Sequence, residues 1–340
     1  MGKWGALTAG GAEVGPGERA LIPLPVAGTL QGEETRLSLH CIRGAKAGPT
    51  LAVHALVHGD EPQPVRALFN VLGEIEPARL RGTLLAVPVA NPFAFAHFSR
   101  QSPDQHEWTN LWGAFPGNPE GTLTQRYAAR ITEELIARAD FFLEFHSGGR
   151  AGRLQRRVDL DAQLAGGLGR KVRAAARAFA SGGARLVHGV RMDPASAPGA
   201  ALARGIPAIS VEIGAAYLPE SEEVRYRACM EGGLRNLLVH LGMRPGRERR
   251  GRLAYFSAAD RAEVNPSRGG YLLSRKTRFS DLGARVRKGQ LLGEMLDPYT
   301  LEVREELRSP AAGVLFFSRC SGPVEAGNKG FAVATRTKRF

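Results

Sequence analysis

Four apolar runs punctuate the first two thirds of the chain, at residues 50–57, 83–89, 140–145 and 208–213, each bounded by Gly, Pro or a polar turn. Stretches with helical spacing lie between and after them, at residues 64–72, 123–139, 160–180 and 222–241, the second opened by a threonine cap. Apolar strands alternating with helices of this length predict an α/β fold around a largely parallel or mixed sheet. Near residues 244–251 the segment RPGRERRG is polar and carries Pro and Gly, which predicts a domain boundary. It divides the chain into a larger domain at residues 1–245 and a smaller module at 252–340. Short β-prone pieces with frequent turns, such as SRGGYLLSR and PAAGVLFFS, make that module all-β.

Length and composition narrow the function. A chain of 340 residues, 43% hydrophobic and 23% charged, belongs with ordinary globular proteins. No apolar stretch approaches the ~18 residues of a membrane span, and the first residues lack the apolar core of a signal peptide. Cys41, Cys229 and Cys320 are odd in number and far apart, which suits the cytoplasm better than a disulfide frame or a cysteine metal cage. The formal charge of +13 and the Arg clusters at residues 150–157 and 244–252 raise nucleic-acid binding. No zinc-finger spacing, helix-turn-helix signal or RNP-type aromatic motif accompanies the charge, so nucleic acid is not the expected partner. An anionic small molecule is the better use of a positive field.

The segment LAVHALVHGDE ends an apolar run in His58-Gly59-Asp60-Glu61, just before a helix. An imidazole and a carboxylate three apart beyond a strand end can meet at one metal ion, with Gly59 allowing the tight turn. Catalytic zinc takes three protein ligands and keeps one position open. The third candidate is His146 in FFLEFHSGG, another apolar run closed by His and glycines. A capping or packed histidine is the competing reading for each. His54 lies inside an apolar run and reads as core or strand face. His40, His97, His106, His188 and His240 lack a comparable setting. Glu144 shares a strand face with His146 and either orients that ligand or sits at the surface.

The strand AISVEIG is interrupted by one acid, Glu212, and closed by Gly214. Glutamate is disfavoured in buried strands, so Glu212 needs a partner. A water activated beside a metal is one such partner, whose proton Glu212 takes and passes on; a neighbouring Arg is the other.

With these pieces assembled, the chain resembles the succinylglutamate desuccinylase/aspartoacylase family of the zinc carboxypeptidase-like clan. The likeness rests on His58-Gly59-Asp60-Glu61, Asn91-Pro92 with Ala94-Phe95 and Arg100, Phe115-Pro116-Gly117, His146-Ser147-Gly148-Gly149 and Val211-Glu212-Ile213-Gly214, in the family's order over residues 50–215. It implies a zinc carboxypeptidase-like mixed sheet flanked by helices. It also implies one Zn2+ held by His58, Glu61 and His146, with Glu212 as general base and Arg100 stabilising the oxyanion. The segments VRKGQLLGEM and RSPAAGVLFF resemble the family's C-terminal β-module, a lipoyl-type barrel. No lysine falls between residues 290 and 328 to serve as a lipoylated hairpin residue, so the module reads as structural or substrate-gating.

Where the family carries an Asn-Arg pair that grips a substrate carboxylate, this chain has Trp112-Gly113, with Asn110 two places earlier. The expected activity is therefore zinc-dependent hydrolysis of an amide bond in an N-acyl amino acid or related small molecule, with specificity left open. Arg150 is the substitute cation for the clamp. Trp112, Asn110 and Trp108 are candidates to line an apolar, aromatic or cationic amine half. A carboxypeptidase-like zinc peptidase and a non-catalytic metal-holding protein are the alternatives. No membrane partner is expected, and a homo-oligomer stays open.

Overall fold

Residues 4–29, 32–103 and 108–340 are described by the computed structural model. Its principal strands are β1 (Arg19–Gly28), β2 (Glu34–Arg43), β3 (Lys46–His54), β4 (Arg81–Val87), β5 (Phe141–His146), β6 (Gly152–Asp161), β7 (Leu186–Val190), β8 (Ala208–Gly214), β9 (Ala254–Ser257), β10 (Arg261–Val264), β11 (Gly313–Arg319) and β12 (Phe331–Ala334). All twelve join one mixed sheet whose main path runs β10-β12-β11-β6-β8-β5-β3-β4-β2-β1, with β7 beside β6 and β9 beside β7. The centre, β8-β5-β3-β4, is parallel. Its flanks, β6 against β8 and β2 against β4, are antiparallel. This is the mixed α/β sheet that the sequence led us to expect.

Alternation along the central strands decides what each face of the sheet does. Leu51, Val53, Phe141, Leu143, Phe145, Ile209, Val211 and Ile213 point to one side and are buried there. Residues from α1 (Gln63–Glu74), α4 (Gly166–Phe179) and α6 (Glu220–His240) cover them, among them Leu68, Val172 and Met230. The alternate positions face the other way. Ala52, Phe142 and Ala208 pack there with Tyr127 and Ile131 of α3 (Leu123–Glu134) and Ala200 of α5 (Ala197–Ala203). Because successive side chains point to opposite faces, Glu144, His146 and Glu212 must share this second face.

Two element boundaries differ from the sequence reading. Residues 160–180 are not one helix: β6 continues to Asp161 and α4 starts at Gly166. The run Arg157-Val158-Asp159-Leu160-Asp161 alternates with period two, and that period prevails over the helical one. The helix expected over 123–139 stops at Glu134, and a short 3-10 turn follows at Ile136–Arg138.

Beyond residue 252 the described residues form strands and short 3-10 turns only. They enclose an apolar cluster of their own, including Leu272, Leu292, Met295, Leu307 and Phe331. They also extend the main sheet. β11 pairs with β6, setting Leu154 opposite Phe317, and β9 runs parallel to β7. A bridging cluster of Leu186, Phe256, Phe316, Ala332 and Ala334 seals the junction. Among the described residues no helix is long and apolar enough to cross a membrane.

Phe179 is fully buried at the end of α4 and meets Phe145 edge-on, with ring centroids 5.8 Å apart. It supports the strand that carries His146 from the opposite face. Phe179→Ala is expected to cost about 3–5 kcal/mol in denaturant unfolding; a loss below about 1 kcal/mol would show that this face does not hold the sheet.

Candidate metal centre and active site

The candidate site forms where β3, β5 and β8 end. After β3 the chain turns at Leu56, a non-glycine residue with φ of 54°, and folds into the His58–Glu61 turn, closed by Glu61 N–H donating to the His58 carbonyl at 3.2 Å. Gly59 is required here by close approach, because a Cβ would run into the Ala94 carbonyl. Asn91 caps the short helix α2 (Pro92–Ala96) by accepting from Ala94 N–H at 3.1 Å. That helix presses on Gly59 and leads into Arg100.

Glu61 lies at the centre. Its Oε1 is 2.9 Å from His58 Nδ1 and accepts from Arg100 Nη1 at 3.2 Å. Its Oε2 is 3.0 Å from His146 Nδ1 and accepts from Ser147 N–H at 2.8 Å. One ligand-type atom from each of His58, Glu61 and His146 lies within 4.8 Å of the others, and all three residues are buried. Burial alone would raise the Glu61 carboxyl. The charges and hydrogen bonds of His58 and His146 override it and hold the group well below the usual carboxylate range. His58 is pulled down by burial, against the attraction of Glu61.

A second row supports the first. Glu144 is buried, not at the surface. Its Oε2 lies 3.0 Å from His146 Nε2, and its Oε1 lies 3.0 Å from Nε2 of His54, which is itself fully buried. His54 is thus a core residue, as expected, but one that anchors the carboxylate behind His146. A carboxylate behind a ligating imidazole fixes its ring orientation and raises its basicity. Asp60 accepts from Arg150 N–H at 3.0 Å and so ties the His58 turn to the His146 loop.

Glu212 sits directly beside His146 in the β5–β8 register. Its side chain is 22% exposed, and burial pushes its carboxyl up to about 7, against the lowering pull of Arg157 and His146. Arg157 faces Glu212 from the next strand, β6, with Nη2 3.6 Å from Oε1. Of the two partners weighed for Glu212 on sequence grounds, a water beside a metal and a neighbouring arginine, the arginine is Arg157, and His146 of the candidate metal cluster lies on the other side of Glu212. Arg157 is held by Asp159, through Nε at 2.8 Å and Nη2 at 3.2 Å. Asp159 in turn lies 3.5 Å from His188, whose ring stacks on Phe256 at 4.2 Å.

Sequence reasoning missed Arg157. Its signal was present in the alternation of residues 157–161, but the Arg-rich run around it was weighed only as a source of positive charge. The candidates for the amine half are placed less centrally. Asn110 accepts from Trp112 N–H at 3.0 Å and caps a 3-10 turn. Trp112 is half-buried against the core that holds α3. Arg150 is exposed, with its guanidinium 5.7 Å above the Phe98 ring. The side chain of Trp108, like residues 104–107 with His106, lies outside the described residues.

Two imidazoles and one carboxylate, buried together with a carboxylate behind one ring, form a donor set that fits a divalent metal of the zinc type. The catalytic-domain model for succinylglutamate desuccinylase and aspartoacylase matches residues 47–239, more than half of the chain. The chain belongs to that family. A curated relative, the N-alpha-acetyl-L-2,4-diaminobutyric acid deacetylase of Halomonas elongata, is 27% identical over 83% of this chain and 80% of its own length. The product-bound ectoine utilization protein EutE (DoeB) from Ruegeria pomeroyi is 25% identical, with a TM-score of 0.82 over 94% of this chain and 95% of that one. A desuccinylase/aspartoacylase from Rhodobacter sphaeroides shares the fold at 22% identity, with a TM-score of 0.80 over 95% and 96% of the two chains.

For this family member, elemental analysis of the purified protein is expected to find about one divalent metal per chain and a large loss in His146→Ala. Equal metal content in the two proteins would exclude His146 as a ligand.

Proposed function

We propose that the protein is a zinc-dependent amidohydrolase that removes the acyl group from an N-acyl amino acid or a closely related small molecule. The observation that carries this reading is the register of β5 and β8, which sets the Glu212 carboxyl beside His146 on the face that holds His58 and Glu61. Family membership and the 27% identical deacetylase support the same reaction class.

In this reading His58, Glu61 and His146 hold the ion, and Glu144 fixes the His146 ring. Zinc supplies polarisation of the scissile carbonyl and a water pKa lowered to about 7. Glu212 takes a proton from the attacking water and returns one to the amine nitrogen as the C–N bond breaks, giving a carboxylic acid and a free amine. Burial disfavours its charged form, which suits a carboxylate that must take up a proton and release it again. Arg100, 3.2 Å from Glu61 and half-exposed at the mouth, brings a fixed positive charge to the carbonyl oxygen as it becomes negative.

We assign the chemistry to residues 1–245 and treat 252–340 as an appended β-module; the residues given roles above all precede 245. A cytoplasmic setting accompanies the assignment, in keeping with three cysteines that form no disulfide.

A panel of N-acyl amino acids and short peptides tests the reading. Acid release from the N-acyl compounds, abolished by a chelator and restored by zinc, is the expected result; cleavage of peptides alone would replace it with a peptidase. Glu212→Gln should retain metal and fold while losing at least ~10²-fold in kcat. Near-normal turnover in that variant would place the base elsewhere. Arg100→Ala should lower kcat by roughly 10²–10³-fold, the scale of one lost oxyanion donor; an effect confined to KM would make Arg100 a binding residue only.

A further inference from the structure

Two cross-strand rows run side by side over the face that carries the candidate site. The first is His146, Glu212 and Arg157, on β5, β8 and β6. The second lies one pleat away and runs His54, Glu144, Ser210, Asp159, His188 and Phe256, from β3 across to β9. At one end of the rows Glu144, backed by His54, fixes the His146 ring. The other end repeats the device with different groups. Asp159 accepts from Arg157 Nε at 2.8 Å and from Nη2 at 3.2 Å, and its Oδ2 lies 3.5 Å from His188 Nδ1. A two-bond grip of this kind fixes the plane of a guanidinium as well as its position.

The C-terminal strands cover this arrangement. Phe316 of β11 faces the guanidinium, with Cζ 5.6 Å from its ring centroid, and Phe256 of β9 stacks on His188. Arg157 is buried beneath them. Burial works against its charge, and Asp159 and Glu212 override that cost.

The distances show what this does for Glu212. Nη2 of Arg157 is 3.6 Å from Oε1, beyond hydrogen-bond distance. The same nitrogen is committed to Asp159, so it cannot close on Glu212 without giving up that bond. A direct two-bond pair would occupy both Glu212 oxygens. A fixed charge at this separation attracts the carboxylate and leaves its oxygens free for a water.

We propose that Arg157 is the positioning residue of Glu212: clamped by Asp159 and covered by Phe316, it holds the Glu212 carboxyl in place by charge without a hydrogen bond. The proposal rests on the amide-hydrolysis reading. It gives the C-terminal strands a part in that reaction, as the cover over the arginine.

The test measures metal content, kcat and KM on the best compound of the N-acyl amino acid panel. The wild type, Arg157→Gln, Arg157→Lys, Asp159→Asn and Phe316→Leu are compared. Arg157→Gln and Asp159→Asn are expected to keep the metal and KM while losing about 10–10²-fold in kcat, the scale on which a misplaced reacting group costs rate. Arg157→Lys should recover most of the loss, because it keeps the charge, and Phe316→Leu should lower kcat a few-fold. A loss confined to KM would make Arg157 a substrate-binding residue and overturns the proposal. So does a kcat in Arg157→Lys no better than in Arg157→Gln, which would leave the arginine a structural role only. If Arg157→Gln loses its metal or its fold, the other two sites decide: wild-type kcat in both Asp159→Asn and Phe316→Leu overturns the positioning role. Turnover of no compound by metal-loaded wild type overturns the hydrolysis reading, and the positioning role with it.

Discussion

The site is organised around one buried carboxylate. Glu61 brings its charge into the interior next to two imidazoles, a backbone N–H and a guanidinium, and each of its oxygens is satisfied by a different strand end or loop. Removing an ionised carboxylate from water is costly unless such partners are in place. The partners therefore constrain the fold as strongly as the fold constrains them. The His58 turn, the His146 strand end and the Arg100 segment must close on the same point, and Gly59, Asn91 and Asp60 are the residues that let them do so. A metal ion would find its donors already assembled, which suits a site that must hold a fixed geometry through a reaction.

The same economy runs through the sheet. One face of the central strands is given wholly to apolar packing against three helices. The other carries a file of ionisable groups in register: His54 with Glu144, His146 with Glu212, Glu212 with Arg157, Asp159 with His188. Each group is opposite a partner of complementary character on the next strand, so the charges satisfy one another without crossing the apolar face. Strict period-two alternation makes this separation automatic, because a one-residue slip in any strand would exchange the two faces.

The strands after residue 252 do more than decorate this arrangement. They close the β6 edge of the sheet and bury Phe256 and Phe316 against Leu186. The antiparallel pairing of β11 with β6 sets Phe317 opposite Leu154 and against Gly152, close in sequence to the loop that follows His146.

Much of this was legible in the residues themselves. Apolar runs ending in His-Gly or Glu-x-Gly marked strand ends, and the type and order of His58, Glu61, His146 and Glu212 carried the likeness to the family and the chemistry proposed for it, because candidate metal ligands and proton carriers are recognised by atom type and short-range spacing. The α/β class followed from the same runs. What the sequence left undecided were the partnerships made across strands. Glu144 was equally a surface acid and the carboxylate behind His146 until the β3–β5 pairing put His54 opposite it. Arg157 carried no local sign of burial inside its run of arginines; its place in β6, between Glu212 of β8 and Leu186 of β7, buries it. Sheet register and the packing of distant segments are set by the lowest free energy of the whole chain, so these contacts were decided by the tertiary structure, while the candidate reacting groups were already named by the sequence.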